Sequence, residues 1–316
     1  MRNYSLIIAA FFALLLSAQL TWAEDVPCIH RTLSLNVIDS SGVPVNGVTT
    51  DDLQATFRSR PLKILSIVPD DRPHRIVILL DASGSMAAQR GRVLASATAL
   101  ANAPLKNSRI ALIIFGSKII EQLDFSQGQA AVVERLRQIG TGESPSKELF
   151  KGKTTLYDSM LAALRLIENP TSADAVYLAS NGLNDRSRAH LDTVETEFLS
   201  TGVRLFEWLF ITEIANRDLD PEQSFAVGSV SALGKTTGGA TTMISALNFQ
   251  NREELLTAVD LLHQEIIHNY RIEIDLPESL KRPQGWKLRP SEKNKDSWKK
   301  FRITHPTELA SCGPKI

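Results

Sequence analysis

Cysteine is nearly absent: Cys28 and Cys312 are the two in 316 residues, and no Cys/His constellation for metal or nucleophilic chemistry accompanies them. No GxSxG elbow is present either, so no nucleophile and base pair can be named and the residues do not read as an enzyme. Charge of one sign is not in excess. Lysine plus arginine equals aspartate plus glutamate at 35 each, and no global field draws the chain to nucleic acid or to anionic lipid. Beyond Ser5 to Leu20 no apolar run approaches spanning length, and no lipobox surrounds Cys28.

The one long apolar run has the features of a leader. Arg2 precedes it, and Thr21-Trp22-Ala23 supplies a small-x-small site that predicts cleavage after Ala23. An uncleaved transmembrane anchor is the alternative, disfavoured by marginal length and by the lack of a stop-transfer charge cluster. Residues 1–23 are therefore expected to be a signal peptide, leaving a soluble, extracytoplasmic chain (secreted or periplasmic) with no membrane span. In an oxidising compartment Cys28 and Cys312 permit one disulfide joining the ends of that chain, worth roughly 5 kcal/mol in the chain-entropy model; two unpaired thiols are the other possibility.

The chain is organised around Arg75 to Met86. Val77 to Leu80 form an apolar run without polar alternation, the pattern of a strand buried on both faces of a parallel sheet. It ends in Asp81-Ala82-Ser83-Gly84-Ser85, which sets one carboxylate and two hydroxyls at every second position of a turn. Open α/β sheets place ligands at the carboxyl ends of such strands, and hard oxygens there suit Mg²⁺ or Mn²⁺. Gly84 is expected to permit a tight turn.

Asp81, Ser83 and Ser85 match the DxSxS signature of von Willebrand factor type A domains. Gly152-Lys153-Thr154-Thr155-Leu156-Tyr157-Asp158 resembles the second loop of that family, and Ala175 to Gly182 resembles the strand and turn that normally end in Thr-Asp-Gly. The resemblance implies a site for a divalent cation that binds a partner's carboxylate, with the serines and Thr154 as direct ligands and the aspartates acting largely through water. Asn181 stands where the family usually has its second aspartate, which removes a full charge and implies weaker metal binding, by about 10-fold to 100-fold. Asp158 and Asp185 are possible outer supports of the site: the first reads mainly as a helix-start carboxylate, the second as a solvated turn residue able to compensate through a water.

Elsewhere strands alternate with amphipathic helices, which predicts a doubly wound, mostly parallel sheet. Helices are expected over Val93–Leu105, Gln129–Ile139, Leu156–Ile167, His190–Leu199, Ser224–Leu233 and Arg252–His268; strands over Arg109–Phe115, Lys118–Leu123, Ala175–Ser180, Val203–Ile211 and Thr241–Ile244. Residues 24–72 read as a β lead-in, 73–268 as the domain of the type A kind, and 269–316 as a β tail. The tail alternates (Tyr270, Ile272, Ile274; Trp286, Leu288; Phe301, Ile303), so one face stays wet, and it is expected to pair with Thr32 to Ile67 in a small β-rich module made from both ends. The arrangement resembles bacterial secreted proteins with von Willebrand factor A-related domains. Gly152-Lys153-Thr154 imitates a P-loop end, yet Lys147 sits at the first glycine position, and His263 and His268 do not share a helix face as metal ligands would. The function implied is protein binding through a metal-bridged acidic residue without catalysis; the alternative is a structural or assembly scaffold with a degenerate site. Oligomeric state is not readable.

Overall fold

The computed structural model describes residues 28–104, 107–143, 147–211, 221–245 and 251–312; the expected leader lies outside them. Among the described residues no helix is long and apolar enough to cross a membrane.

Four strands come from the lead-in: β1 (His30–Ile38), β2 (Leu53–Phe57), β3 (Arg60–Leu62) and β4 (Ile64–Pro69). The central strand β5 (His74–Asp81) follows, then a 3-10 turn at Gly84–Gln89 and helix α1 (Arg90–Ala101). Strands β6 (Ser108–Phe115) and β7 (Ile119–Leu123) form the expected hairpin, followed by α2 (Gly128–Thr141), α3 (Leu156–Arg165), β8 (Ala175–Ser180), α4 (Leu191–Thr201) and β9 (Arg204–Phe210). The domain closes with α5 (Pro221–Thr236), β10 (Thr241–Ile244) and α6 (Arg252–Ile267).

These strands make a six-stranded sheet in the order β10-β9-β8-β5-β6-β7, parallel except for β7. Its centre is the apolar run: Ile76 to Leu80 are fully buried, each stabilising the fold by about 1.5–3 kcal/mol relative to exposure. Alternate residues go to opposite faces. Ile76, Ile78 and Leu80 pack with α1, α2 and α6, while Val77 and Leu79 pack with α3, α4 and α5. Two helical layers therefore cover the sheet, which is why β5 carries no polar alternation.

Helix α5 is longer than its apolar stretch suggested. Val227, Val230 and Leu233 bury one face, and the helix continues until Gly238 adopts φ 81°. The next glycine is required by crowding: a Cβ on Gly239 would stand 1.8 Å from the Leu205 carbonyl oxygen.

The tail supplies β11 (Tyr270–Asp275), β12 (Gln284–Pro290), β13 (Arg302–Thr304) and β14 (Glu308–Leu309). These pair with the lead-in as expected, but in two four-stranded antiparallel sheets, β13-β1-β11-β4 and β14-β12-β2-β3. The sheets share one core that includes Leu35, Phe57, Ile272, Trp286 and Trp298. Half-wet strands are stable only if their dry faces meet, and two sheets face to face achieve that. Cys28 and Cys312 form a disulfide with Cα atoms 5.8 Å apart, closing the module at its outer ends.

A buried polar joint ties this module to the amino ends of the central strands. Arg204, at the start of β9 and fully buried, donates to the carbonyls of Ala173 and Ile266, each at 2.8 Å, and to Asn36 Oδ1 of β1 at 3.4 Å. Asn36 in turn donates to the Glu265 carbonyl at 2.6 Å. Arg75 pairs with buried Asp174 at 2.7 Å, and Arg302 of β13 with Glu265 of α6 at 2.9 Å. Burial lowers the Arg204 pKa to about 10, against the raising effect of Asp70, Glu265 and Asp174.

Candidate metal centre

Three loops converge at the opposite, carboxyl end of the sheet. Asp81 is the last residue of β5 and fully buried; Ser83 and Ser85 follow on the turn into the 3-10 segment. Thr154, also fully buried, lies two residues before α3, and Asn181 directly follows β8.

The first two loops are in backbone contact. The Gly84 N–H donates to the Gly152 carbonyl at 3.0 Å, and a Cβ on Gly84 would come within 2.9 Å of that oxygen. Glycine at position 84 is therefore set by the closeness of a second loop; its backbone does not need the left-handed region, and this corrects the simple tight-turn reading.

The Ser83 N–H donates to Asp81 Oδ1 at 2.9 Å, and the Ser180 hydroxyl to Asp81 Oδ2 at 2.6 Å. Burial pushes the Asp81 carboxyl up to about 6; these hydrogen bonds favour its ionised form, and the nearby charge of Asp185 opposes it. Ser180 was not singled out from the sequence. Its one available signal was position, as the hydroxyl that ends β8 beside Asn181 in the strand next to Asp81.

The hydroxyls are arranged differently. Ser83 Oγ and Ser85 Oγ stand 3.1 Å apart, and Thr154 Oγ1 is buried with no hydrogen-bond partner. A buried hydroxyl left alone costs about 1–3 kcal/mol, and its oxygen remains free to accept a ligand. The serine spacing matches two neighbouring ligands of an octahedron with bonds of about 2.1 Å, whose adjacent oxygens are about 3.0 Å apart.

Asn181 is buried and its Oδ1 accepts from the Leu183 N–H at 3.2 Å, so part of its acceptor capacity shapes its own turn. Asp185 sits against Thr154: its Oδ2 accepts from the Thr154 N–H at 3.2 Å, while the N–H groups of Asp185 and Arg186 donate to the Thr154 carbonyl at 3.0 and 2.9 Å. Asp158 is used elsewhere. Its carboxylate accepts from the Arg188 and Ala189 N–H groups, and Ser187 Oγ accepts from the Tyr157 and Asp158 N–H groups at the start of α3. The 184–189 loop and the helix start thus cap one another. Lys153 and Arg186, both exposed, flank the site.

Residues 76–183, which run from β5 through β8 and carry these three loops, match the family model for the von Willebrand factor type A domain. This segment is a von Willebrand factor type A domain. Solved structures similar to the chain include an aerotolerance-related membrane protein from Bacteroides fragilis, 19% identical, covering 61% of this chain and 98% of that one with a TM-score of 0.44. Another is BatB from Bacteroides thetaiotaomicron, 15% identical, with coverage of 61% and 98% and a TM-score of 0.43. A von Willebrand factor type A protein from Catenulispora acidiphila is 8% identical, covering 89% of this chain and 74% of that one with a TM-score of 0.46. No curated protein sequence matches the chain. The type A domain implies an interaction or adhesion module. Its matched segment contains all five sequence-predicted ligand positions, Asp81, Ser83, Ser85, Thr154 and Asn181, together with Asp158, while Asp185 falls just beyond its end.

Proposed function

We propose that the chain is an extracytoplasmic protein-binding module whose type A domain holds Mg²⁺ or Mn²⁺ on Ser83, Ser85 and Thr154, with Asp81 and Asn181 as outer contacts, and offers the cation to a carboxylate of a partner protein. The observation that carries this reading is the buried, unpartnered Thr154 Oγ1, on the loop whose Gly152 carbonyl binds the Gly84 N–H, together with a serine pair spaced like adjacent octahedral ligands. The ionised Asp81 would offset part of the cation's charge, and Ser180 would hold that carboxylate in orientation. When bound, the cation supplies an open coordination position for a hard anionic oxygen. Exposed Lys153 and Arg186 beside the site favour an acidic group over a neutral one. The reading assigns no catalysis, and places the chain outside the cytoplasm on the strength of the leader-like first 23 residues.

Calorimetric titration with Mn²⁺ tests it, in chloride and then with acetate as a stand-in for the partner's carboxylate. Native chain is expected to bind, more tightly in acetate, and Ser83→Ala/Ser85→Ala to bind nothing while keeping its fold. Equal heats for the native chain and the double variant would sink the reading and favour the scaffold alternative, in which contacts run through the disulfide-closed β module.

A further inference from the structure

We infer that Asp185 supplies the second negative charge of the cation site, acting through its fixed place beside Thr154. This rests on the metal reading above and assigns a role to a residue outside the segment the family model matches.

The argument begins with charge. Three hydroxyls and one carboxylate leave a divalent cation with a net positive charge in a pocket where Asp81, Ser83 and Thr154 are all fully buried. An uncompensated charge in such a place is costly, and a second carboxylate removes the cost even through an intervening water. Asn181 is neutral and its oxygen already serves the Leu183 N–H. Asp158 is close in sequence to Thr154, but its carboxylate is held by the Arg188 and Ala189 N–H groups.

Asp185 is placed differently. Three hydrogen bonds join it and its neighbour to a single residue: Thr154 N–H to Asp185 Oδ2, and the Asp185 and Arg186 N–H groups to the Thr154 carbonyl. The residue so gripped is the one whose Oγ1 is buried and unpartnered. A carboxylate tied to the peptide of that residue cannot drift from the hydroxyl by more than one side chain's reach. The residue is exposed to solvent on its outer side, so a carboxylate there is not desolvated by the fold. The same bonds make Asp185 a positioning residue for Thr154, so the two roles must be separated experimentally.

Asp185→Asn separates them, because the amide oxygen still accepts from the Thr154 N–H while the charge is gone. The measurement is Mn²⁺ affinity by calorimetry together with the metal-free thermal midpoint, for the native chain, Asp185→Asn, Asn181→Asp and the double variant. The expected result is affinity at least about 10-fold weaker in Asp185→Asn, an unchanged metal-free midpoint, and recovery in the double variant, where a carboxylate at 181 replaces the one lost at 185. Unchanged affinity in Asp185→Asn overturns the inference and leaves the metal site standing. Binding by Asn181→Asp but not by the native chain also overturns it, since Asp185 would then have failed to compensate. No binding by either removes the metal reading and this inference with it.

Discussion

At the amino ends of β8 and β9, Asp174 accepts hydrogen bonds at both carboxylate oxygens, from Arg75 and from the Thr171 N–H, and Arg204 grips two carbonyls and Asn36. At the carboxyl ends of the same sheet, Thr154 keeps a buried hydroxyl with no partner, and Ser83 Oγ and Ser85 Oγ lie 3.1 Å apart. Both regions are buried and polar, and both are built by loops flanking the same strands. One makes most of its hydrogen bonds within the chain, Arg204 Nε excepted, and so ties the β module to the domain. The other leaves the Thr154 hydroxyl without a partner, at some cost in stability.

Substitutions should therefore act with opposite sign at the two ends. The largest effect is expected at the joint. Arg204→Ala leaves the Ala173 and Ile266 carbonyls and the surrounding carboxylates without their buried cation, and should lower unfolding free energy by about 3–5 kcal/mol in a denaturant titration. Replacing both Cys28 and Cys312 by serine should cost about 2–4 kcal/mol, because the bond closes nearly the whole described chain into one loop. Metal affinity should stay unchanged in that variant, since the disulfide belongs to the β module.

A smaller effect at the joint depends on pH. Burial, helped by the Arg204 charge, lowers the pKa of His74 below its usual 6.5, against the Ala173 carbonyl, Asp70 and Asp174. As pH falls through 6.5, the unfolded chain takes up a proton that the native chain refuses, so stability drops by up to about 1.4 kcal/mol per pH unit until the native pKa is reached. Glu207 and Asp81, whose carboxyl pKa values are raised mainly by burial, carry the opposite sign. Comparing native chain with His74→Gln at about pH 7.5 and pH 5.5 isolates the histidine: the variant should show the shallower loss on acidification.

The smallest change in stability, and the sharpest contrast, is Thr154→Val. The swap is nearly isosteric and removes an unpartnered buried hydroxyl, so the metal-free protein should be unchanged or more stable by about 1 kcal/mol while Mn²⁺ binding is lost. A clear destabilisation would mean that the hydroxyl has a partner within the fold, and the contrast between the two ends would collapse.

Much of this architecture was legible in the residues, for local reasons. The run Val77 to Leu80 reads as a strand covered on both faces, and the alternation of Tyr270, Ile272 and Ile274 as a strand covered on one; both are found so. Asp81, Ser83 and Ser85 marked a candidate ligand turn because they follow that strand directly. The pairing of lead-in with tail followed from two half-wet sets of strands needing each other; their division into two facing sheets did not, because alternation marks which face is dry and not which sheet a strand joins.

At the site, the type A pattern brought in Thr154 and Asn181, but not what each oxygen does. Ser180 orients Asp81 from the neighbouring strand, Gly84 is required by the Gly152 carbonyl, and Asp185, which reads in sequence as a solvated turn residue able to compensate through a water, proves to be folded onto Thr154. The joint was invisible for the same reason: Arg204 lies 168 residues from Asn36 and 62 from Ile266, and nothing near it in sequence announces a buried arginine. The sequence by itself marked the central strands, most of the helices and the candidate ligand turn, because periodicity and turn chemistry act over a few residues. Only the tertiary structure decided which buried polar groups find partners, because hydrogen bonds require atoms about 3 Å apart, and for groups far apart in the chain that proximity exists only once the strands are side by side.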